Sequence, residues 1–165
     1  MGDAMKNLPT RKPNRLQCFD YSTPNAYFIT ICTKDRLPLL GRIVGASSAR
    51  PPYCDLSPYG QAVEQAILRL SEHYPAAIPE KYVIMPNHVH LLLRICTDEN
   101  GRALLAPTVS HMIQHLKGVV TKQLGFAIWQ KSFHDHIIRN EHDYQLIWQY
   151  IDTNPSRWED DCFFK

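Results

Sequence analysis

The sequence has no apolar run close to the roughly 20 residues that a membrane-spanning helix needs. It also has no Cys-x-x-Cys pair, and its five scattered cysteines indicate neither a disulfide framework nor a thiolate zinc site. The N-terminus lacks the apolar core of a secretory signal, so we expect a cytoplasmic protein with no membrane contact. With 165 residues, 44% of them hydrophobic, the chain is expected to form one globular domain.

The formal net charge of +2 is unevenly distributed along the chain. Residues 1–50 contain eight Lys and Arg residues against three acidic ones, so the remainder is slightly acidic. Residues 1–24 are polar and proline-containing, and we interpret them as a basic N-terminal arm that precedes a domain at residues 25–165. A basic segment suits contact with phosphates. The charge alone is equally compatible with a solvent-exposed arm that binds no partner.

The order of elements predicts an α+β fold. Segments rich in β-branched and aromatic residues predict strands, at 26–33, 81–85, 88–95 and 129–139. Helical spacing and capping residues predict three helices, from Pro58 to before Pro75, from Val109 to Leu124 and from Glu141 to Thr153. Residues 45–53 and 98–101 are interpreted as loops. The first six elements form the ferredoxin-like split βαβ pattern, an antiparallel sheet with helices on one face. The third helix follows at the C-terminal end.

The hexapeptide Met85-Pro86-Asn87-His88-Val89-His90 is the most informative motif. In a strand, side chains two residues apart point to the same face, so His88 and His90 present two imidazoles together. Such a pair suits a divalent metal ion. In isolation, however, the triplet is more often a structural strand with two hydrogen-bonded histidines.

The third predicted helix contains Tyr144 and Tyr150, and Asn154 lies at its C-terminal end. Tyr150 and Asn154 are four residues apart and therefore lie one above the other, whereas Tyr144 lies roughly 240° away from Tyr150 around the axis. His88, His90 and Asn154 would offer two nitrogens and an amide oxygen, which suits Mg²⁺ or Mn²⁺ when a phosphate completes the coordination. Tyr150 would then stand beside that phosphate as a nucleophile.

These motifs resemble those of the single-tyrosine transposases of the insertion-sequence-200-like family, within the HUH (His-hydrophobe-His) endonuclease superfamily. The resemblance is greatest to the branch associated with repetitive extragenic palindromes (REPs). The matching segments run from about residue 14 to 158. They are Asn14–Leu16, Asp20-Tyr21, Tyr27–Ile31, Val83–His90, Trp129-Gln130, Ser132–Arg139 and Tyr150–Pro155.

The resemblance implies a metal-dependent transposase that nicks and rejoins single-stranded DNA near hairpins. Tyr150 would be the nucleophile, forming a 5′-phosphotyrosine and leaving a free 3′-hydroxyl, while His88 and His90 would bind the metal. Asn154 matches the position of a polar metal ligand whose residue type varies in the family. Residues 25–165 would be the single transposase domain, with the third helix as its catalytic helix.

Basic residues in the arm and in the domain are the predicted DNA contacts: Arg11, Lys12, Arg15, Lys117, Lys122, Lys131 and Arg139. The partner implied is single-stranded or hairpin DNA, and the oligomeric state is left open. For Lys131 and Arg139 a merely solvated role is equally open.

Two sets of residues compete with the predicted site. His134 and His136 form a second His-x-His pair, for which a DNA contact or a role supporting other ligands fits better than metal binding. Tyr144, with Glu141 nearby, is the rival nucleophile. Two other functions also stay open, a catalytically inactive nucleic-acid-binding module on the same fold and a metallohydrolase that uses His88 and His90 on another substrate.

Overall fold

The computed structural model of this chain describes residues 24–45, 51–97 and 108–163. The predicted arm, except its last residue, lies outside these ranges together with Arg11, Lys12 and Arg15. The loop predicted at 98–101 and most of the loop predicted at 45–53 also lie outside them.

The described residues form six strands and four α-helices. The strands are Ala26–Cys32 (β1), Gly41–Val44 (β2), Tyr53–Leu56 (β3), Ala77–Met85 (β4), His88–Ile95 (β5) and His134–Ile138 (β6). The helices are Pro58–Leu68 (α1), Leu70–His73 (α2), Val109–Leu124 (α3) and Glu141–Thr153 (α4). A 3₁₀ helix, Asn154–Asp160, continues from α4. None of the described helices is long and apolar enough to cross a bilayer.

The three longer helices begin where the sequence provides capping groups. Ser57, Thr108 and Asn140 precede α1, α3 and α4, and each side chain accepts a hydrogen bond from the backbone N–H three residues later. These bonds satisfy amide groups that have no partner within the helix. Gly125 ends α3 with a φ of 81°, a left-handed conformation that glycine adopts without steric cost. The helix starts predicted at Pro58, Val109 and Glu141 are therefore confirmed.

Four strands form one antiparallel sheet in the order β4-β5-β1-β6. Strand β5 lies between β4 and β1 in the sheet, and α1 belongs to the segment that connects β1 to β4. In the same way, β1 lies between β5 and β6, and α3 belongs to the segment that connects those two strands. The predicted α+β class with an antiparallel sheet is confirmed, and the strand order is that of two interleaved βαβ units.

The sheet separates two hydrophobic clusters. Val89, Leu91 and Leu93 of β5 pack with residues of α1 and α3 in the larger cluster. Leu92 packs with Ile147 and Ile151 of α4 in the smaller one. Because strand side chains alternate between faces, α4 covers the same face of the sheet as His88 and His90.

Several predicted boundaries need correction. The strand predicted at 129–139 is confined to His134–Ile138, and Trp129 forms only an isolated bridge with Thr33. The Lys117 ammonium group binds the carbonyls of Gln130 and Ser132, which takes these acceptors away from strand pairing.

The other corrections lie on both sides of α1. Strand β4 begins at Ala77 rather than Lys81, since this edge strand accommodates Pro79 at a register shift. The hairpin of β2 and β3 was not predicted, and Tyr53 begins β3 rather than ending a loop. The helix predicted to continue to Pro75 is divided at Arg69 into α1 and α2.

The close packing of α1 against the chain before β2 makes a prediction about glycine substitutions. A Cβ at Gly60 would lie 2.1 Å from the backbone oxygen of Leu40, whereas one at Gly118 in α3 would have no heavy atom within 4 Å. We expect Gly60→Ala to lower the free energy of unfolding by about 2 kcal/mol or more, since backbone must move. Gly118→Ala should instead raise it by about 0.5–1 kcal/mol. Urea denaturation of both variants tests the pair, and equal effects would contradict the packing at Leu40.

Candidate active site

His88 and His90 lie side by side on the face of the sheet that α4 covers, with their ring centroids 4.5 Å apart. Burial lowers the pKa of His88 to about 4 and that of His90 well below its usual value. The nearby Asp161 carboxylate acts in the opposite direction on His88, but burial is the larger effect. Both rings are therefore neutral near pH 7, the form in which imidazole binds a metal ion.

The Asn87 side chain determines which nitrogen of His88 carries the proton. The Asn87 amide nitrogen donates hydrogen bonds to the backbone oxygens of Phe163 (2.7 Å) and Arg36 (3.3 Å). This arrangement turns the Asn87 carbonyl oxygen toward His88 Nδ1, 2.8 Å away. Because that oxygen can only accept, Nδ1 must donate, and the lone pair lies on Nε2. His88 Nε2 is buried and has no hydrogen-bond partner among the described residues.

His90 is held from two sides. The Thr30 hydroxyl lies 2.9 Å from Nδ1, because Thr30 and His90 are paired in register across β1 and β5. The Phe28 ring stacks on the imidazole at a centroid distance of 5.1 Å. These contacts fix the ring plane and direct Nε2 toward α4, in the manner of the groups that orient metal-binding histidines.

Tyr150 of α4 lies against the imidazole pair. Its hydroxyl lies 3.3 Å from His90 Nε2, and its ring packs edge-on against Phe28. Burial, followed by the negative charge of Asp161, raises the pKa of the Tyr150 hydroxyl to about 12. The phenol is therefore protonated near neutral pH and can donate its hydrogen bond to His90.

Asp161 is a member of the site that sequence reasoning missed. The ligand atoms of His88, His90 and Asp161 all lie within 4.8 Å of one another, and Asp161 Oδ2 is 3.9 Å from His88 Nε2. Asn154 is buried beside them, and its amide nitrogen donates to Asp161 Oδ2 at 3.1 Å. The acidic pair Asp160-Asp161 is visible in the sequence, but nothing there shows which carboxylate turns inward.

The residues after the 3₁₀ helix cover the imidazole pair. The Phe163 ring lies 4.6 Å from the His88 ring, centroid to centroid, and Arg36 both stacks over Phe163 and donates to the Cys162 carbonyl. His88 and His90 are consequently 0% and 1% exposed.

The donors present fit a divalent cation. They are two neutral imidazoles, one of which has an orphaned Nε2 that carries the lone pair, a carboxylate, and an Asn154 amide oxygen that is buried without a partner among the described residues. Mixed nitrogen and oxygen donors of this kind suit Mn²⁺ or Mg²⁺, and the set contains no thiolate.

The rival residues are engaged elsewhere. The Tyr144 hydroxyl donates to Glu80 at 3.0 Å, and the ring stacks on Trp148. Glu141 is exposed and accepts a hydrogen bond from Gln145. His134 and His136 are exposed at the far edge of the sheet, where His136 pairs with Asp143 at 2.8 Å.

The predicted DNA contacts that fall in the described ranges are dispersed. Lys122, Lys131 and Arg139 are exposed, whereas the Lys117 ammonium group is half-buried against the carbonyls of the segment before β6. Lys117 and Lys122 belong to α3, on the opposite face of the sheet from Tyr150. Their roles in binding DNA stay predictions.

Comparison with known proteins is consistent with the geometry. No family model matches the chain. An uncharacterized protein of Haemophilus influenzae is 29% identical over 173 residues, which cover 93% of each chain. A proposed REP-associated tyrosine transposase of the same organism is 26% identical over 151 residues, covering 82% of this chain and 73% of that protein.

Among solved structures, a REP-associated tyrosine transposase bound to a REP hairpin has the same fold. The TM-score is 0.62 at 22% sequence identity, and the match covers 87% of this chain and 74% of that one. The chain thus has the mixed α+β fold of a tyrosine transposase, a four-stranded antiparallel sheet with helices. It is a distant homologue of the REP-associated tyrosine transposases, which are insertion-sequence-200-like. The predicted resemblance is confirmed.

Proposed function

We propose that this protein is a metal-dependent transposase that nicks and rejoins single-stranded DNA near hairpins, with Tyr150 as its nucleophile. The observation that carries the proposal is the 3.3 Å approach of the Tyr150 hydroxyl to Nε2 of His90, beside a second neutral imidazole. A nucleophile, metal-binding nitrogens and a carboxylate thus converge at one point.

The reaction exchanges one ester oxygen for another. The Tyr150 oxygen would form a bond to the phosphorus while the bond from phosphorus to the 3′-oxygen breaks, giving a 5′-phosphotyrosine and a 3′-hydroxyl. The reverse attack by another 3′-hydroxyl rejoins the DNA without an external energy source. When bound, a divalent cation at His88 and His90 polarises the phosphoryl oxygen and, as a nearby positive charge, lowers the pKa of the phenol.

The surrounding residues would prepare these groups for the reaction. Asn87 and Thr30 orient the imidazoles, and Phe28 supports both His90 and the Tyr150 ring. Asn154, predicted as a metal ligand, lies at the site and stays a proposed ligand. The domain at 25–165 would carry this activity, and the arm at 1–24, with Arg11, Lys12 and Arg15, would contact the hairpin.

The direct test incubates the purified protein with a hairpin-containing single-stranded oligonucleotide and Mg²⁺ or Mn²⁺. We expect a protein–DNA adduct that survives denaturation, and we expect EDTA to abolish it because the cation supplies the charge stabilisation. A gel with DNA labelled on either side of the hairpin shows which strand end stays attached. Cleavage without an adduct would instead favour a metallohydrolase.

The alternative is a DNA-binding module without catalytic activity. The burial of His88 and His90 beneath Phe163 favours it, because a phosphate cannot reach these imidazoles in the conformation described. This alternative predicts binding of hairpin DNA with no adduct, even with Mn²⁺ present.

A further inference from the structure

The Asp161 carboxylate is buried beside His88. Its side chain is 3% exposed, and among the described residues its only ion-pair contact is His88, at 3.9 Å. A buried carboxylate beside neutral groups costs free energy unless a positive charge accompanies it.

The carboxylate is also fixed in orientation. Asp161 Oδ1 accepts a hydrogen bond from the Phe163 backbone N–H at 2.8 Å, and Oδ2 accepts one from the Asn154 amide at 3.1 Å. The Tyr150 hydroxyl and the Cys162 thiol are also in hydrogen-bond contact with this carboxylate. Oδ2 lies 3.9 Å from the orphaned Nε2 of His88, so a cation could bridge the two atoms.

We propose that Asp161 supplies a third protein ligand, an anionic one, to the cation held by His88 and His90. This inference rests on the proposed function, since it concerns the same ion. It explains both unsatisfied features together: the ion would take the His88 lone pair and neutralise the buried carboxylate. It also makes the last residues of the described chain part of the metal site, because Asp161 belongs to the segment that covers the imidazoles.

The test is Mn²⁺ affinity, measured by calorimetry on the full chain without DNA. Asp161→Asn keeps the size of the side chain and removes its charge, and we expect it to weaken Mn²⁺ binding at least about tenfold. Asp160→Asn is the matched control, because it removes the same charge from the neighbouring, exposed residue. Its affinity should stay within about twofold of the wild type.

Thermal unfolding supplies the second measurement. At an Mn²⁺ concentration about 100 times Kd, the wild-type Tm should rise by about 5–10 °C. The Asp161→Asn variant should lose most of this rise while unfolding in EDTA at a temperature close to that of the wild type. A large fall of its Tm in EDTA, repeated in Asp161→Ala, would assign a structural role to Asp161 and overturn the inference.

The His88→Ala variant separates this inference from the proposed function. One outcome is that the wild type binds Mn²⁺, His88→Ala does not, and Asp161→Asn binds it with unchanged or higher affinity. This outcome would overturn Asp161 as a ligand but not the proposed function. If His88→Ala binds Mn²⁺ as the wild type does, the metal site itself is wrong and both fail. Loss of binding in both variants supports both.

Discussion

Replacing Tyr150 with phenylalanine is expected to lower formation of the covalent DNA adduct by at least roughly 1,000-fold, because no other atom replaces the nucleophile. Phenylalanine keeps the ring that packs against Phe28 and His90, so the fold and the cover over the sheet should persist. The hydrogen bond to His90 is lost together with the contacts of the hydroxyl with Asn154 and Asp161, each bond at a cost of about 0.5–1.5 kcal/mol in stability. Binding of hairpin DNA should therefore be largely retained.

The control is Tyr144→Phe, which removes a hydroxyl from the same helix. The Tyr144 hydroxyl donates to Glu80 rather than to an imidazole, so adduct formation in this variant should be close to that of the wild type. Band-shift measurements of DNA binding and denaturing gels of the adduct, made on both variants, separate binding from chemistry. Adduct retained in Tyr150→Phe but lost in Tyr144→Phe would transfer the nucleophile to Tyr144.

The substitution Asn87→Asp is expected to lower the free energy of unfolding by roughly 3–5 kcal/mol, because it places an uncompensated charge in a buried position. Asn87 is 2% exposed, and its amide nitrogen donates to the backbone oxygens of Phe163 and Arg36. A carboxylate cannot donate a hydrogen bond, so both backbone oxygens would face another acceptor in place of the amide donor. The cover formed by Phe163 should detach, since it loses the 2.7 Å hydrogen bond to its carbonyl.

Asn140→Asp is the matched control for this effect. Asn140 is exposed and accepts a hydrogen bond from the Asp143 N–H at the start of α4, a position that asparagine and aspartate occupy equally well. Its stability should change by no more than about 0.5 kcal/mol. Urea unfolding followed by circular dichroism measures both variants. A loss below about 1 kcal/mol in Asn87→Asp would contradict the hydrogen-bond network proposed to fix His88.

Several parts of the site could be predicted because they depend on local geometry alone. The alternation of side chains along a strand placed His88 and His90 on one face, whatever the strand paired with. Helical spacing placed Tyr150 and Asn154 together in the same way. The starts of three helices could be predicted as well, because the cap hydrogen bonds of Ser57, Thr108 and Asn140 each reach only three residues along the chain.

Other parts depended on contacts between residues far apart in the sequence. Thr30 meets His90 because β1 and β5 pair in one register, which local patterns do not encode. The strand predicted from Trp129 was too long because Lys117, on a separate helix, binds the carbonyls of Gln130 and Ser132. The β2–β3 hairpin was missed because its strands are only four residues long and contain no fully buried residue.

The sequence by itself therefore determined the α+β class and the pair of imidazoles on one face of a strand, and it predicts Tyr150 as the nucleophile. The tertiary structure alone decided that Asn87 fixes the proton on His88 Nδ1, and that Asp161 and Phe163 return to the face of the sheet that carries His88 and His90. The physical reason is the range of the interactions. Periodicity and capping act within one or two turns, whereas a ligand set is assembled from strands and a chain end that only the packed sheet brings together.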